Sequence, residues 1–233
     1  MAEPRGPTTY TVIIPTLNEA SIIERTLRIT RERVPEAELI VVDGQSTDDT
    51  IARARPLARV ISTRRGRGIQ LNAGARAASG DVLLFPHADT ILGPDCVQRM
   101  LDALEDPEVL GGASRLRFDD PRPAYRALAR MVTKSALVTH TFTGAQALFV
   151  RRTVFLALGG FRPWPLMEDL EFSARLARYG PTVLLDAEVE TSARRLRSWG
   201  LARTQATAML VGALYAARVP PHRFARLWPP VRE

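Results

Sequence analysis

Short apolar runs alternate with amphipathic segments along the first half of the chain. Four of these runs are bounded by polar or turn-forming residues and are too short for helices, which predicts buried strands. The predicted strands are Tyr10–Ile14, Leu39–Val42, Ala58–Ser62 and Asp81–Phe85. Between them, apolar residues recur at helical spacing, as from Ile22 to Thr30. Strands that alternate with helices through short connections predict a mostly parallel sheet covered by helices on both faces.

The pattern is less regular in the second half, where strands and helices do not alternate evenly. Predicted strands are Leu110–Phe118, Ala147–Val150 and Val183–Leu185, and predicted helices are Pro123–Val138, Met167–Tyr179 and Leu201–Arg218. Pro220 and Pro221 break the chain after the last of these helices. Because there is no internal repeat and no long linker, we expect a single domain over residues 1–233.

Composition is that of a soluble globular protein with one substantial core. The 233 residues are 45% hydrophobic and 24% charged, which is ordinary for such proteins. Disorder is expected only from Met1 to Thr8 and after Trp228, where proline and charge dominate. Cys96 is the single cysteine, which excludes an intrachain disulfide and a cysteine-based metal site. Its apolar helical surroundings predict a buried thiol.

Charge and hydropathy limit the partners of the chain. The formal net charge is +7, and Lys134 is the only lysine among 32 basic residues. The arginines are scattered, without a basic stripe interleaved with aromatics or a recognisable nucleic-acid motif, so we expect no nucleic-acid partner. The N-terminus lacks the apolar region of a signal peptide, and Ala206–Ala217 is too short to span a bilayer. We therefore expect a cytoplasmic protein, with contact to a membrane surface left open.

Polar residues follow three of the predicted strands at the point where each strand ends. These segments are Pro15–Glu19, Asp43–Asp49 and His87–Asp89. The carboxyl ends of parallel strands meet at one edge of a sheet, so the three segments are expected to share that edge. A carboxylate there is well placed to hold a divalent metal ion beside a bound phosphate. The sequence therefore predicts a ligand site at this edge.

The order of these motifs resembles the family 2 glycosyltransferases, inverting enzymes with the GT-A fold. The resemblance covers about Thr11 to Arg197 and is carried by Ile13–Glu19, Val41–Asp48, Asn72–Gly74, His87–Asp89 and Met167–Asp169. More narrowly, the chain looks like a group of small bacterial members with a His-Ala-Asp loop. The resemblance implies an α/β fold of the GT-A type, with a mostly parallel sheet flanked by helices and followed by C-terminal helices.

The resemblance also implies which part of the chain binds each substrate and which reaction is catalysed. The nucleotide-binding half would lie at about 9–105, the acceptor half at about 106–200, and a helical segment at 201–233. The implied reaction is metal-assisted transfer of a sugar from a nucleotide-diphosphate sugar to a hydroxyl, with inversion. A non-catalytic nucleotide-sugar-binding protein is the alternative. Relatives in the family commonly have an aspartate at the positions of His87 and Ala145. These two departures favour that alternative, and the intact Glu168-Asp169 pair opposes it.

The loops after the first two strands are implied to hold the base and ribose of the nucleotide. Their candidate residues are Pro15, Asn18 and Glu19 after the first strand and Asp43 and Asp48 after the second. Four of the five have a structural alternative. Asp43 begins an Asp-Gly turn, Asp48 suits a helix cap, and Asn18 and Glu19 suit an ordinary helix entry. Strand register favours a binding role for Asp43, whereas the other positions stay open.

A second set of residues is implied to contact the phosphates. Arg67 lies between two glycines at the start of a helix, where backbone N–H groups can approach phosphate; a flexible turn with a solvated arginine is the alternative. Asn72 belongs to the Asn-Ala-Gly motif of the family. Arg194 and Arg195 are expected to fold over the diphosphate, and a solvated basic strand end explains them equally well.

Three acidic residues are the candidates for metal binding and catalysis. Asp89 is expected to bind Mg²⁺ or Mn²⁺, since such ions need only one or two protein carboxylates beside substrate phosphates. His87 stands where the family commonly has an aspartate that meets ribose or metal, which makes it a candidate for binding the nucleotide sugar. A loop histidine bonded to a carbonyl is its structural alternative. The resemblance makes Asp169 the general base and Glu168 its neighbour. Acids in the first turn of a helix also complement its dipole, which is the structural alternative for both.

The expected partners are a nucleotide-diphosphate sugar donor and an unidentified hydroxyl acceptor. Trp164, just before the acidic pair, is a candidate platform for a sugar ring or a packed core residue. The apolar face of the last long helix normally packs on the core. With Arg203, Arg218 and Arg223 nearby, it also suggests a lipid-linked acceptor and peripheral contact at the inner face of the membrane.

Overall fold

The computed structural model describes residues 8–231, where eight strands form one sheet. The disorder expected at Met1–Thr8 lies almost wholly outside this range, as does the end of the segment after Trp228. The strands are β1 Tyr10–Thr16, β2 Glu38–Asp43, β3 Arg59–Ser62, β4 Val82–Phe85, β5 Thr90–Leu92, β6 Gly111–Phe118, β7 Leu148–Arg151 and β8 Thr182–Thr191. Their order across the sheet is β3-β2-β1-β4-β7-β6-β8-β5.

Ten α-helices accompany this sheet in the described part of the chain. They are α1 Ile23–Arg33, α2 Thr50–Ala54, α3 Arg67–Ala77, α4 Cys96–Leu104, α5 Pro123–Thr139, α6 Arg152–Ala157, α7 Glu168–Tyr179, α8 Arg194–Trp199, α9 Leu201–Ala216 and α10 Pro221–Phe224. Two short 3₁₀ turns lie at Gly144–Gln146 and Ala225–Leu227. None of the helices within residues 8–231 is both long enough and apolar enough to cross a membrane.

The sheet is parallel in its first half and mixed in its second. Strands β3, β2, β1 and β4 run parallel to one another, as the alternation of strands and helices predicts. Strand β7 is antiparallel to both β4 and β6, β8 is parallel to β6, and β5 is antiparallel to β8. Strands from both halves of the chain therefore share one continuous sheet, with β4 and β7 at the junction.

Two strands differ from the sequence prediction because they form by pairing with segments that are distant in the sequence. Strand β8 is far longer than the predicted Val183–Leu185. It continues because Ala187, Val189 and Thr191 are buried while the acidic residues between them face outward, the alternation of a half-buried strand. The short strand β5 was not predicted at all. It forms where Thr90 pairs with Thr191 at the far end of β8.

Strand β1 also continues past its predicted end at Ile14, through Pro15. The carbonyl of Thr16 accepts a hydrogen bond from the backbone N–H of Gly44, so Thr16 faces β2. Pro15 is offset by one residue and faces β4, where pairing stops at Val12. Its missing N–H therefore costs no ladder hydrogen bond. The extension brings the following loop beside the end of β2.

Apolar residues form one core layer on each face of the sheet. Val12 and Ile14 pack with α1 and α4 on one face, and Ile13 packs with α3 and α7 on the other. Cys96 belongs to the first layer and is 3% exposed, which confirms the predicted buried thiol. With both faces covered, the carboxyl edge of the parallel strands is the place where polar side chains collect.

Candidate functional site

The loops after β1 and β2 are joined directly to each other. The backbone N–H of Asn18 donates to Ser46 Oγ at 2.8 Å, and its side-chain Oδ1 accepts from the Thr47 N–H at 2.8 Å. Asn18 has a φ of +53°, a left-handed conformation that asparagine tolerates better than most residues. The two loops thus form a single polar surface at the edge of the sheet.

Asp43 lies beneath this surface and has no exposed area. Its Oδ2 accepts the Ser46 N–H at 2.9 Å, and its Oδ1 accepts the Ser46 hydroxyl. The carboxylate is therefore occupied by its own turn, as the structural alternative for the Asp-Gly dipeptide expects. Contact between Asp43 and a nucleotide stays a prediction, and it requires the Ser46 turn to open.

Asp48 closes the same loop onto helix α2. It accepts hydrogen bonds from the N–H and hydroxyl of Thr50, the first residue of α2, and from the N–H of Ala20 at 3.2 Å. Burial acts to raise the pKa of Asp48, but these hydrogen bonds outweigh it and hold the pKa below its ordinary value. Asp48 thus binds the first N–H of α2 from the position before the N-cap residue, Asp49, and links the loops after β1 and β2 a second time.

Gln70 is a site-forming residue that the sequence analysis missed. Its amide nitrogen donates to the backbone carbonyls of Thr16 and Val42, both at 2.8 Å, where β1 and β2 end. The side chain is 4% exposed. The available signal was a polar residue between the two apolar residues Ile69 and Leu71 of the predicted helix.

Arg67 gathers the acidic pair and the loop histidine into one cluster. Its Nε donates to Glu168 Oε1, its Nη1 lies 3.2 Å from His87 Nε2, and its Nη2 lies 3.7 Å from Asp169 Oδ2. The side chain is 33% exposed. It is therefore not the solvated arginine of a flexible turn. This contact brings together the end of β4 and the starts of α3 and α7.

His87 is held as a neutral imidazole within that cluster. Burial and the positive charge of Arg67 lower the pKa of His87 to about 3, although Asp169 opposes this. Since a guanidinium only donates, Nε2 accepts the hydrogen bond and the proton resides on Nδ1. The close approach depends on Gly144, where an added Cβ would lie 2.3 Å from Nε2. His87 therefore differs from a loop histidine bonded to a carbonyl.

The acidic pair is buried and held by backbone groups. Asp169 Oδ2 accepts the Gly144 N–H and Oδ1 accepts the Leu170 N–H, both at 2.8 Å. Glu168 is fully buried, and its Oε2 has no hydrogen-bond donor among the residues described. Burial raises the pKa of Glu168, and Arg67 opposes the rise. Met167, just before the pair, has a φ of +67°, a costly conformation for this residue type.

A second charged group lies at the end of β4 beyond His87. The guanidinium of Arg194 binds both carboxylate oxygens of Glu19, at 2.7 and 2.9 Å, and its Nε lies 3.1 Å from Asp89 Oδ2. All three side chains are 13–16% exposed. Burial raises the pKa of Asp89, Arg194 opposes the rise, and Glu19 adds to it. Arg194 is thus the cation that neutralises this part of the edge.

The possible metal ligands near Asp89 can be compared with the ligands that the expected ion needs. Across residues 8–231, no group of three or more His, Cys, Asp or Glu side chains is arranged to hold one. Asp89 offers a single carboxylate, with Arg194 on one of its oxygens. That set fits Mg²⁺ or Mn²⁺ when diphosphate oxygens and water complete the coordination, which is the usual binding mode of Mg²⁺. The metal assignment stays a prediction.

Three other residues that were candidates for ligand binding lie in or beside packed regions of the protein. Asn72 donates to the Phe161 carbonyl and accepts from the Phe161 N–H, at 2.8 and 2.9 Å, which ties α3 to the segment after α6. Trp164 is half-buried and meets the Tyr215 ring edge-to-face, with centroids 6.4 Å apart. Pro15 is half-buried at the end of β1. Nothing in these contacts directs the Asn72 amide to the loops of the edge.

The basic segment near residue 194 forms a helix, not the strand end considered above. In α8, the Arg195 guanidinium lies 4.8 Å from the Trp199 ring centre and 4.3 Å from that of Trp228. It also donates to the Pro229 carbonyl at 2.8 Å. Burial and nearby Arg194 lower the pKa of Arg195 to about 10. Arg195 therefore anchors the C-terminal segment beside the charged edge.

Asp119 positions this helix and was also missed. Its Oδ1 accepts the Ala193 N–H at 2.7 Å and an Arg197 N–H at 3.0 Å, so it holds the start of α8. The available signal was a pair of acids, Asp119 and Asp120, directly after a predicted strand. Placement of α8 in turn directs Arg194 toward Glu19.

Known proteins match this chain in sequence. Residues 11–162 match the sequence model of Glycosyl transferase family 2. An uncharacterised protein of Mycobacterium tuberculosis is 35% identical over 194 residues, 71% of this chain and 60% of that protein. An undecaprenyl-phosphate mannosyltransferase of Micrococcus luteus is 34% identical over 115 residues, 45% of this chain and 47% of that protein. The chain thus spans about half to three fifths of these relatives.

The fold has a solved counterpart as well. A mannosyltransferase from Pyrobaculum calidifontis, in complex with GDP-Man and Mn²⁺, superposes with a TM-score of 0.68 at 26% identity. The superposition covers 95% of this chain and 68% of the other. It confirms the α/β fold of the GT-A type. The family match, which covers more than half of the chain, agrees with the motif order at the strand ends. The chain belongs to glycosyl transferase family 2.

Proposed function

We propose that this protein transfers a sugar from a nucleotide-diphosphate sugar to a hydroxyl acceptor with inversion at the anomeric carbon. The observation that carries the proposal is the placement of Asp169. Its carboxylate is fixed by two backbone N–H groups and lies beside Arg67, at the edge where β1, β2 and β4 end. An oriented carboxylate next to a donor site is what a general base in such a transfer requires.

The joined loops after β1 and β2 are the proposed nucleotide site. Asn18, Ser46 and Asp48 hold this surface together and position its backbone groups. The GDP-Man complex of the Pyrobaculum calidifontis mannosyltransferase supports a nucleotide sugar as the donor. In this arrangement Asp43 supports the turn that lies beneath the nucleotide. Direct contact between Asp43 and the base would require Ser46 to move.

The proposed chemistry is a single displacement. Asp169 takes the proton of the acceptor hydroxyl as its oxygen forms a bond to the anomeric carbon. The bond from that carbon to the diphosphate oxygen breaks on the opposite side, and the electron pair leaves with the diphosphate. Arg194 lies where it can stabilise that negative charge. No covalent enzyme intermediate is needed.

A divalent ion is part of the proposal. Asp89 is the protein ligand, and bound Mg²⁺ or Mn²⁺ would supply positive charge to the diphosphate. The Mn²⁺ in the complex of the Pyrobaculum calidifontis protein supports this assignment. Glu19 binds the Arg194 guanidinium and orients it. Arg194 therefore lies between the Asp89 carboxylate and the proposed position of the diphosphate.

The acceptor is proposed by class only. A lipid-linked acceptor is supported by similarity to the undecaprenyl-phosphate mannosyltransferase of Micrococcus luteus. Glu168, buried beside the base with one oxygen free of donors in residues 8–231, is the proposed support for the acceptor side of the cluster.

The experiment is single-turnover transfer by Asp169→Asn, with Glu171→Gln on the same helix as control. We expect the rate to fall by about 10²–10⁴-fold in Asp169→Asn while donor affinity is kept. Glu171 pairs with Arg175, so the control should transfer at nearly the wild-type rate. Release of nucleotide from the donor serves as the assay until an acceptor is found. Transfer by Asp169→Asn at nearly the wild-type rate would overturn the mechanism.

The binding-only alternative is separated by the same assay. Donor binding by the wild-type protein, without nucleotide release or transfer across a panel of donors and hydroxyl acceptors, would favour a non-catalytic nucleotide-sugar-binding protein. Equal rates of transfer in wild type and Asp169→Asn would overturn the mechanism but leave sugar transfer itself standing.

A further inference from the structure

The whole net charge of the chain resides in its last 43 residues. Residues 1–190 contain 24 basic and 24 acidic side chains, whereas residues 191–233 contain eight arginines and a single acid, Glu233. The main body is therefore electrically balanced at neutral pH, and the C-terminal segment carries the full +7. An anionic surface would attract one end of the molecule and orient it.

Helix α9 in this segment is apolar on every side from Ala208 to Ala216, yet it is mostly uncovered. Arg203 is its only charged residue, and only Thr204 and Val211 are buried. Met209 is 75% exposed and Leu210 is 49% exposed. A helix that is apolar all round is normally buried. The described residues supply no cover for the outer face of α9.

Side chains suited to a membrane interface surround this face. Arg203, Arg218 and Arg223 are exposed, and no acidic residue lies between 191 and 232. At the base of α9, Trp199 and Trp228 meet edge-to-face with ring centres 5.8 Å apart, and Arg203 lies 4.8 Å from the Trp199 ring centre. Tryptophan and arginine combine apolar bodies with polar ends, which suits them to the headgroup region of a bilayer.

We propose that α9 and its flanking arginines form a docking surface for an anionic lipid bilayer. The helix lies in the plane of the interface, with Met209 and Leu210 toward the acyl chains and the arginines among anionic headgroups. Nucleic acid would use the positive charge but not the exposed apolar side chains. A second copy of this chain would bring Arg203 and Arg218 against their like-charged equivalents. The bilayer alone satisfies both the charge and the apolar face.

The docked helix is connected to the candidate active site. Val211 and the half-buried Leu214 pack in one cluster with Leu166 and Met167, directly before Glu168. Docking would therefore hold the proposed base close to the membrane plane, where a lipid-borne hydroxyl is available. This assignment of the acceptor class rests on the proposed function. The docking surface itself does not.

The test is co-sedimentation of the full chain with extruded vesicles at low and high salt. One set contains phosphatidylcholine alone, and the other contains phosphatidylcholine with phosphatidylglycerol. We expect binding to the anionic vesicles at low salt, reduced at high salt, and little binding to the neutral set. Arg218→Gln with Arg223→Gln should weaken the binding about 30-fold. Arg53→Gln with Arg76→Gln, two exposed arginines outside the segment, should not.

A matched pair of leucines tests the apolar contribution. Leu210 on α9 and Leu156 on α6 are each 49% exposed. Leu210→Gln should weaken vesicle binding by about fivefold, and Leu156→Gln should leave it unchanged. Equal effects of the two variants, or no pelleting of wild type at low salt, would overturn the proposal. So would salt-dependent binding to an oligonucleotide that is stronger than binding to vesicles, or a dimer in light scattering that Leu210→Gln abolishes.

Failure of this proposal is distinguishable from failure of the proposed function. Asp169→Asn, which removes the proposed base, should bind vesicles as wild type does. Loss of transfer with vesicle binding intact supports docking independently of the chemistry. Transfer to a water-soluble acceptor with no vesicle binding would overturn docking and leave the transfer mechanism standing.

Discussion

Two arginines neutralise the acids of the candidate site, each at a different place. Arg67 binds Glu168 and lies near Asp169, whereas Arg194 bridges Glu19 and Asp89. Removing one partner of a buried ion pair leaves an uncompensated charge and costs about 3–5 kcal/mol. Loss of activity in an arginine variant would therefore mix lost ligand contact with lost stability. Asp169 and Asp89 are better probes, because Arg67 keeps Glu168 and Arg194 keeps Glu19 as a partner when either aspartate becomes asparagine.

At the residue scale, His87 makes stability depend on pH. Its pKa is about 3 in the folded protein and about 6.5 when unfolded. Below pH 6.5 the unfolded chain binds a proton that the folded protein does not, so stability falls as pH falls toward 3. The loss is at most about 1.4 kcal/mol per pH unit. In urea unfolding, wild type should lose more stability between pH 7 and 5 than His87→Gln.

The remaining histidines provide an internal control for this measurement. His140 and His222 are exposed and present in both proteins. Their contribution to the pH dependence therefore cancels in the difference between wild type and His87→Gln. Identical pH dependence in the two proteins would show that His87 is not held neutral, and the proton placement on Nδ1 would fail with it.

At the element scale, the start of α3 is set by a close backbone contact. A Cβ at Gly68 would lie 2.3 Å from the Arg162 carbonyl oxygen. The helix therefore approaches the segment before the acidic pair more closely than any other residue would allow. This approach is what places Arg67, the residue before Gly68, within reach of Glu168.

Two helical glycines form a matched pair that tests this contact. Gly212 in α9 has open space around its Cβ position, so Gly212→Ala should stabilise the protein by up to about 1 kcal/mol through helix propensity. Gly68→Ala should instead destabilise it by about 1–3 kcal/mol, because the added methyl overpacks a backbone contact. Urea unfolding of both variants gives the comparison. A stabilised Gly68→Ala would show that α3 can shift freely.

Sequence periodicity predicted the elements whose burial is local. The four parallel strands of the first half follow from their apolar runs, and Pro123–Val138 and Met167–Tyr179 match α5 and α7 within one residue. Strand β5 and the end of β8 were missed because their pairing joins residues about 100 positions apart. Strand β5, Thr90–Leu92, is only three residues long and shows no hydrophobic periodicity. The segment Asp186–Glu190 looks polar in sequence, and only the structure shows that its alternate residues are buried.

At the scale of the whole molecule, the site combines both halves of the chain. The loops after β1, β2 and β4 come from the first half, and α7 and α8 bring Asp169 and Arg194 from the second. Motif order indicated several of the residues that meet at this edge. The partners were not predictable, because the sequence holds no signal that Arg194 binds Glu19, 175 positions away. The same holds for Gln70, whose role depends on where two strands end.

Ligand-induced stability tests the metal assignment on the intact protein. A nucleoside diphosphate at 100 times its dissociation constant should raise stability by about 2.7 kcal/mol. We expect a larger rise in melting temperature for wild type with Mn²⁺ than with a chelator, because Asp89 and phosphate oxygens share the ion. Asp89→Asn should lose the Mn²⁺-dependent part of the shift.

Comparing the melting-temperature shifts with Mn²⁺ and with chelator also distinguishes the two proposed sources of positive charge, the metal ion and Arg194. Ser46→Ala, in the loop that closes on Asp43, is the control for general weakening of the nucleotide site, since it should lower the shift with and without Mn²⁺. If the chelator leaves the wild-type shift unchanged, the metal ion is not used and Arg194 is the counter-charge to the diphosphate.

The Gln70 amide has a consequence for the motion of the site. One nitrogen binds the carbonyls of Thr16 and Val42, and Thr16 also accepts the Gly44 N–H. Moving the end of β1 away from the end of β2 would leave at least one of these two carbonyls without its Gln70 donor. We therefore expect the starts of the two loops to keep the same spacing whether or not a nucleotide is bound.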